Sequence, residues 1–76
     1  MKYTIKDIAS ILRISIPEAY RRLAEAGIIV SPEQQTITEL GKQYAEDKYV
    51  EKDRYGRSYW LRTCKGVVVE ILRKIK

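Results

Sequence analysis

Whatever chemistry this chain performs rests on two groups of basic side chains. Arg21 and Arg22 follow the run Ser15-Ile16-Pro17 and a tyrosine, Tyr20. Lys52, Arg54 and Arg57 surround the turn Asp53-Arg54-Tyr55-Gly56-Arg57, with Tyr49, Tyr55, Tyr59 and Trp60 interleaved. Guanidinium and ammonium groups donate hydrogen bonds to phosphate oxygens and to the acceptor edges of bases, so a polyanion is the partner these residues suit. Catalysis is a poor match. With no histidine and one cysteine among 76 residues, zinc fingers, a serine–histidine triad, a Cys–His pair and a disulfide framework are excluded. The carboxylates are scattered, no glycine-rich phosphate loop occurs, and no nucleophile has a plausible base. The expectation is a protein that is not an enzyme and holds neither metal nor cofactor.

The charge is unevenly spread. Lys and Arg number 15 against 10 acidic residues, a net charge of +5, and the pI lies near 9.5. Residues 1–53 hold 8 basic and 9 acidic residues, whereas residues 54–76 hold Arg54, Arg57, Arg62, Lys65, Arg73, Lys74 and Lys76 against Glu70 alone. Positive charge gathered at one end points to nucleic acid first, although a basic end can also be a plain solvated surface. Seventy-six residues allow one domain, and a chain this short buries only about 60% of the surface its unfolded form exposes. Apolar residues at 45% and charged residues at 33% are ordinary for a globular domain. No apolar run approaches the ~18 residues of a membrane span, and the N-terminus lacks the apolar stretch of a signal peptide. A cytoplasmic location is expected, nucleoid-associated where DNA is the partner.

Three capping signals organise the first half. Thr4-Ile5-Lys6-Asp7, Ser15-Ile16-Pro17-Glu18 and Thr36-Ile37-Thr38-Glu39 each set a hydroxyl three residues before a carboxylate, so each predicts a helix start. Ile5, Ile8, Ala9 and Leu12 form one apolar face after the first, and Ala19, Leu23 and Ala26 after the second, with Gly27 as a left-handed stop. Only Arg13 and Ile14 separate the first helix from the Ser15 cap, which predicts a helix-turn-helix over 4–27. Ile28-Ile29-Val30 reads as a short β-branched run, and the third signal predicts a helix from Thr36 to about Asp47. A hairpin is expected over 48–62. Residues 63–75 are read as a closing helix in preference to the strand that Val67-Val68-Val69 favours by propensity, with Cys64, Val67, Val68, Ile71, Leu72 and Ile75 as its apolar stripe and Cys64 as a small buried hydrophobe. The expected fold class is mainly α with a small β-hairpin.

That order carries a resemblance. Thr4-Ile5-Lys6-Asp7-Ile8-Ala9, Leu12, Ile14-Ser15, Ala19-Tyr20-Arg21-Arg22-Leu23 and Gly27-Ile28-Ile29 resemble the helix-turn-helix of bacterial and phage winged-helix regulators. Thr63-Cys64-Lys65-Gly66 looks like the end of the wing in the same family, and the nearest likeness within it is the C-terminal domain of phage antirepressors of the KilA-C type. The resemblance covers most of the chain and implies a winged helix-turn-helix fold, sequence-specific binding of double-stranded DNA and a role in transcription regulation. A lone domain of this size reads few base pairs, so a homodimer or a protein partner is expected to raise affinity.

Helical spacing assigns roles within that frame. With Ala19, Leu23 and Ala26 inward, 100° steps put Pro17 and Arg21 opposite the core and Tyr20 on a flank, while Ser15 and Ile16 lead the helix into a major groove. Arg21 suits a bidentate contact to guanine and Ile16 a thymine methyl. Lys52, Arg54 and Arg57 suit phosphates. Against these stand structural alternatives. Arg21–Glu25 and Glu18–Arg22 are i,i+4 pairs worth about 0.3–0.5 kcal/mol each. The hairpin aromatics are expected to serve the core, with Tyr59 and Leu61 inward and Trp60 and Arg62 outward. A protein-interaction module, in which a winged helix grips a repressor or another protein, is the rival function. Structured RNA is a third option.

Overall fold

Thr4 opens the first helix as its spacing predicts. In the computed structural model, which describes residues 2–75, a short strand β1 (Lys2–Thr4) runs directly into helix α1 (Ile5–Leu12). Thr4 Oγ1 accepts the Asp7 amide at 3.2 Å and Asp7 Oδ2 accepts the Thr4 amide at 3.0 Å, so two otherwise orphaned donors are satisfied reciprocally. Ile5, Ile8 and Ala9 are buried on the inner face. Arg13 ends the helix at φ 57, a left-handed conformation normally left to glycine. This lets Ser15 cap α2 (Ile16–Glu25) within three residues, its Oγ accepting the Glu18 amide at 3.1 Å. Pro17 sits in the first turn, where no intrahelical amide bond is lost. Ala19 and Leu23 point inward, and Gly27 follows the helix at φ 79, the expected left-handed stop.

The helix expected from Thr36 to about Asp47 does not form. Ile28 and Ile29 enter the core, and the chain at 36–38 returns alongside them: the Val30 amide donates to Thr36 O and the Thr38 amide to Ile28 O, both at 3.0 Å, with an isolated bridge between Ile29 and Ile37. Backbone groups spent across this loop are not open to a helical ladder. The hydroxyl that bonds backbone here is that of Thr38 rather than Thr36. Its Oγ1 donates to Gly27 O at 2.6 Å and accepts the Gly41 amide at 2.9 Å. Only one 3-10 turn results (Gly41–Gln43), and Gly41 is required there because a Cβ would lie 2.0 Å from the Ile28 carbonyl oxygen.

The last three residues expected in the third helix, 45–47, are strand instead. β2 (Ala45–Val50) pairs antiparallel with β3 (Tyr59–Lys65), and β1 pairs antiparallel with the other edge of β3, giving the order β1-β3-β2. The hairpin is therefore longer than 48–62, and β1 makes a three-stranded sheet where only a hairpin was expected. The closing helix α3 (Val67–Arg73) starts four residues later than the expected 63–75. Cys64 belongs to β3, where burial does make it part of the core. Ile8, Leu23, Ile28, Ile29, Val68 and Leu72 are the largest wholly buried aliphatic side chains, so α1, α2, α3 and one face of the sheet meet around them in a small α+β fold.

Candidate nucleic-acid interface

Strand register decides which hairpin residues face the helices. Cys64 pairs with Ala45 and Tyr3, and Cys64 and Ala45 are buried, so the alternate residues Arg62, Trp60, Asp47 and Tyr49 share the helix-facing side of the sheet. This reverses the expected alternation of Trp60 and Leu61. With Cys64 assigned to a helix, nothing set the phase of the strand. Next to the core, Arg62 lies in register with Asp47, donating from Nε to Oδ1 at 2.7 Å and from Nη2 to Oδ2 at 3.0 Å. That fork holds the Asp47 carboxyl below its usual range and leaves the Arg62 side chain only 16% exposed. One rung further out, Tyr49 and Trp60 pack edge to face, centroids 5.2 Å apart, beyond the cover of the helices. Trp60 is 69% exposed, and Tyr49, Tyr55 and Tyr59 are exposed too, so the hairpin aromatics do not serve the core. Tyr3, Tyr20 and Tyr44 pack against it instead.

Between α2 and the sheet runs a groove of about 410 Å3, with Ile16 and Tyr20 on the helix side and Asp47, Trp60 and Arg62 on the strand side. Ser15, Ile16 and Pro17 are all exposed at the start of α2, as the sequence predicts, and the Ser15 oxygen is engaged as the cap. Tyr20 is half-buried in the groove wall.

Arg21 and Arg22 both turn to Glu18. Arg21 donates from Nε to Oε1 and from Nη2 to Oε2, both at 2.7 Å, so its partner is Glu18 rather than Glu25. Arg22 donates from Nε to Oε2 of the same carboxylate at 2.9 Å and from Nη1 to the Leu72 carbonyl at 3.3 Å, near the end of α3. The hydrogen bonds from Arg21 first, and Arg22 second, hold the Glu18 carboxyl down at about 2. Arg22 thus ties α2 to α3 with its side chain 17% exposed, whereas the Arg21 side chain is 42% exposed. In the sequence Glu18 figures as the carboxylate of a capping signal and as half of a weak surface pair with Arg22; the i+3 spacing to Arg21 was the signal that could have found the fork.

The tip is built differently. Asp53 Oδ1 accepts the Tyr55 and Arg57 amides at 2.9 and 3.0 Å, and the Asp53 amide donates to Arg57 O at 2.8 Å. Lys52 adopts φ 51. Lys52, Arg54 and Arg57 are exposed and form no ion pair among the described residues, and Arg57 lies over the Tyr55 ring at 5.3 Å. The molecule measures 39 × 26 × 24 Å, and the tip lies three rungs of sheet beyond Arg62. No cluster of three or more Cys, Asp or Glu residues among the described residues is placed to hold a metal ion. No helix among them is long and apolar enough to cross a membrane. In comparisons with known proteins, no family model, curated protein or solved structure matches the chain.

Proposed function

We propose that the protein is a small bacterial or phage regulator that binds double-stranded DNA through a winged helix-turn-helix domain similar to that of KilA-C-type antirepressors. In this assignment α1 and α2 are the helix-turn-helix, α2 enters the major groove by its Ser15-Ile16-Pro17 end, and the β2–β3 hairpin is the wing. One observation carries it. Three exposed cationic side chains, Lys52, Arg54 and Arg57, have no carboxylate partner among the described residues and lie at the end of a hairpin whose base flanks the start of α2. Unneutralised charge on an extended ribbon is what phosphate contacts require.

Salt dependence tests it. If the wing and α2 together neutralise roughly five phosphates, log K for a duplex falls against log salt with a slope of about −4 to −5. Affinity that stays flat between low and physiological salt overturns DNA binding. A second function then stands ahead of the others, because Ile16, Tyr49 and Trp60 leave apolar surface exposed beside the groove. Such a surface suits a protein partner, as in the gripping of a repressor.

A further inference from the structure

Arg21 has two usable hydrogen-bonding edges, and the protein spends one of them on itself. The side edge, Nε–H with one Nη2–H, is closed by the two oxygens of Glu18, both contacts at 2.7 Å. What stays open is the end edge, formed by one Nη1 hydrogen and the second Nη2 hydrogen. An end edge presents two parallel donors, the pattern that meets O6 and N7 of a guanine. Glu18 is in turn fixed from behind. Its amide is held by Ser15 Oγ, its Oε2 also accepts from Arg22 Nε at 2.9 Å, and Arg22 is 17% exposed and reaches the Leu72 carbonyl of α3. A chain of donors and acceptors therefore runs from the closing helix to the guanidinium of Arg21.

We infer that Glu18 is a positioning residue for base reading: it fixes Arg21 with its end edge outward for a guanine and reduces its attraction for phosphates. The inference rests on the DNA-binding function proposed above. An unrestrained arginine samples many rotamers and reaches any nearby phosphate, which adds affinity without discrimination. An arginine locked by a carboxylate has lost that freedom before binding, and its charge is balanced until the right acceptor pair lies in front of it. A surface ion pair with only a structural role would do neither.

The test uses the full chain with a duplex selected from a random library and a scrambled duplex of the same length. Arg21→Ala is expected to lower the selected-to-scrambled preference by about tenfold or more. Glu18→Gln should lower that preference by a comparable factor while scrambled-duplex affinity holds or rises, with a salt slope steeper by about one unit. In the Arg21→Ala background, Glu18→Gln should leave the preference unchanged. Glu18→Asp keeps the charge but shortens the reach, and it should lose preference too. In the free protein, the Arg21 Nε–H resonance should be sharp in the wild type and broadened by exchange in Glu18→Gln. If Arg21→Ala destroys preference and Glu18→Gln leaves it intact, positioning by Glu18 is overturned while base reading by Arg21 stands. Equal weakening on both duplexes in Glu18→Gln, with no loss of preference, marks a structural residue and overturns it as well. If the wild type shows no salt-sensitive DNA binding, both the function and the role of Glu18 fall, whatever the Nε–H resonance shows.

Discussion

The arginines of α2 and those of the hairpin tip are the same residue under opposite constraints. On α2, Arg21 and Arg22 share one carboxylate, and Arg22 extends the network to α3. At the tip, Arg54 and Arg57 are exposed, and only the backbone around Asp53 is held in place. The difference comes from what lies beneath. α2 is bolted down by Ala19 and Leu23, neither with any exposed surface, so its outer side chains have fixed origins. The tip has no core under it, and its side chains keep their rotamer entropy. Fixed donors suit reading a particular acceptor pattern, and mobile cations suit holding a phosphate chain of variable shape.

The largest way to break this contrast is to remove what fixes α2. Leu23→Ala should cost about 2–5 kcal/mol, against a total of only about 4–11 kcal/mol for a chain this size. Urea melting followed by circular dichroism should show the whole molecule destabilised. Loss of α2 alone, with the sheet intact, would mean that α2 is not coupled to the common core.

Acid is a gentler probe of the same network. The Glu18 carboxyl is held down at about 2 in the fold, from an ordinary value of 4.5. A group depressed by folding contributes stability above its unfolded value, and the contribution disappears as pH falls through the folded one. The melting temperature of the wild type should therefore exceed that of Glu18→Gln near neutrality, and the gap should close between about pH 4.5 and pH 2. A gap independent of pH across that window would show that the fork to Arg21 and Arg22 does not persist in solution.

The smallest effect on stability belongs to the tip. Arg57→Ala should change unfolding free energy by no more than about 0.5 kcal/mol, since the side chain is exposed and lies over the ring of Tyr55, itself exposed. Its effect should be on binding, weakening selected and scrambled duplexes alike and reducing the salt slope by about one unit. A change in base preference from Arg57→Ala would exchange the roles assigned to α2 and the tip.

Local signals carried the first 27 residues. Thr4 and Ser15 are caps in the structure as their spacing predicts, because a capping hydroxyl bonds an amide three residues away and needs nothing distant. Past Gly27 the same kind of signal misled. Thr36 has capping spacing, yet its carbonyl accepts the Val30 amide, and the residues expected to prolong its helix become the 3-10 turn and β2. A strand partner fifteen or more residues away outweighs a local cap once both are within reach.

The exposed start of α2, the basic tip and the burial of Cys64 were all legible in residue order, since each follows from local spacing or from residue chemistry. So was the Glu18–Arg22 pair; the groove and the turning of Arg21 to Glu18 instead of Glu25 were not. Which face of β3 meets the helices is a matter of parity, and shifting it by one residue exchanges Trp60 and Arg62 with Leu61 and Thr63. Only the pairing of Cys64 with Ala45 and Tyr3, made by segments from three parts of the chain, sets that parity. Arg22 likewise finds Leu72 fifty residues away. Helix starts and charge are local properties, whereas strand phase and the second partner of a side chain exist only once distant segments share a core.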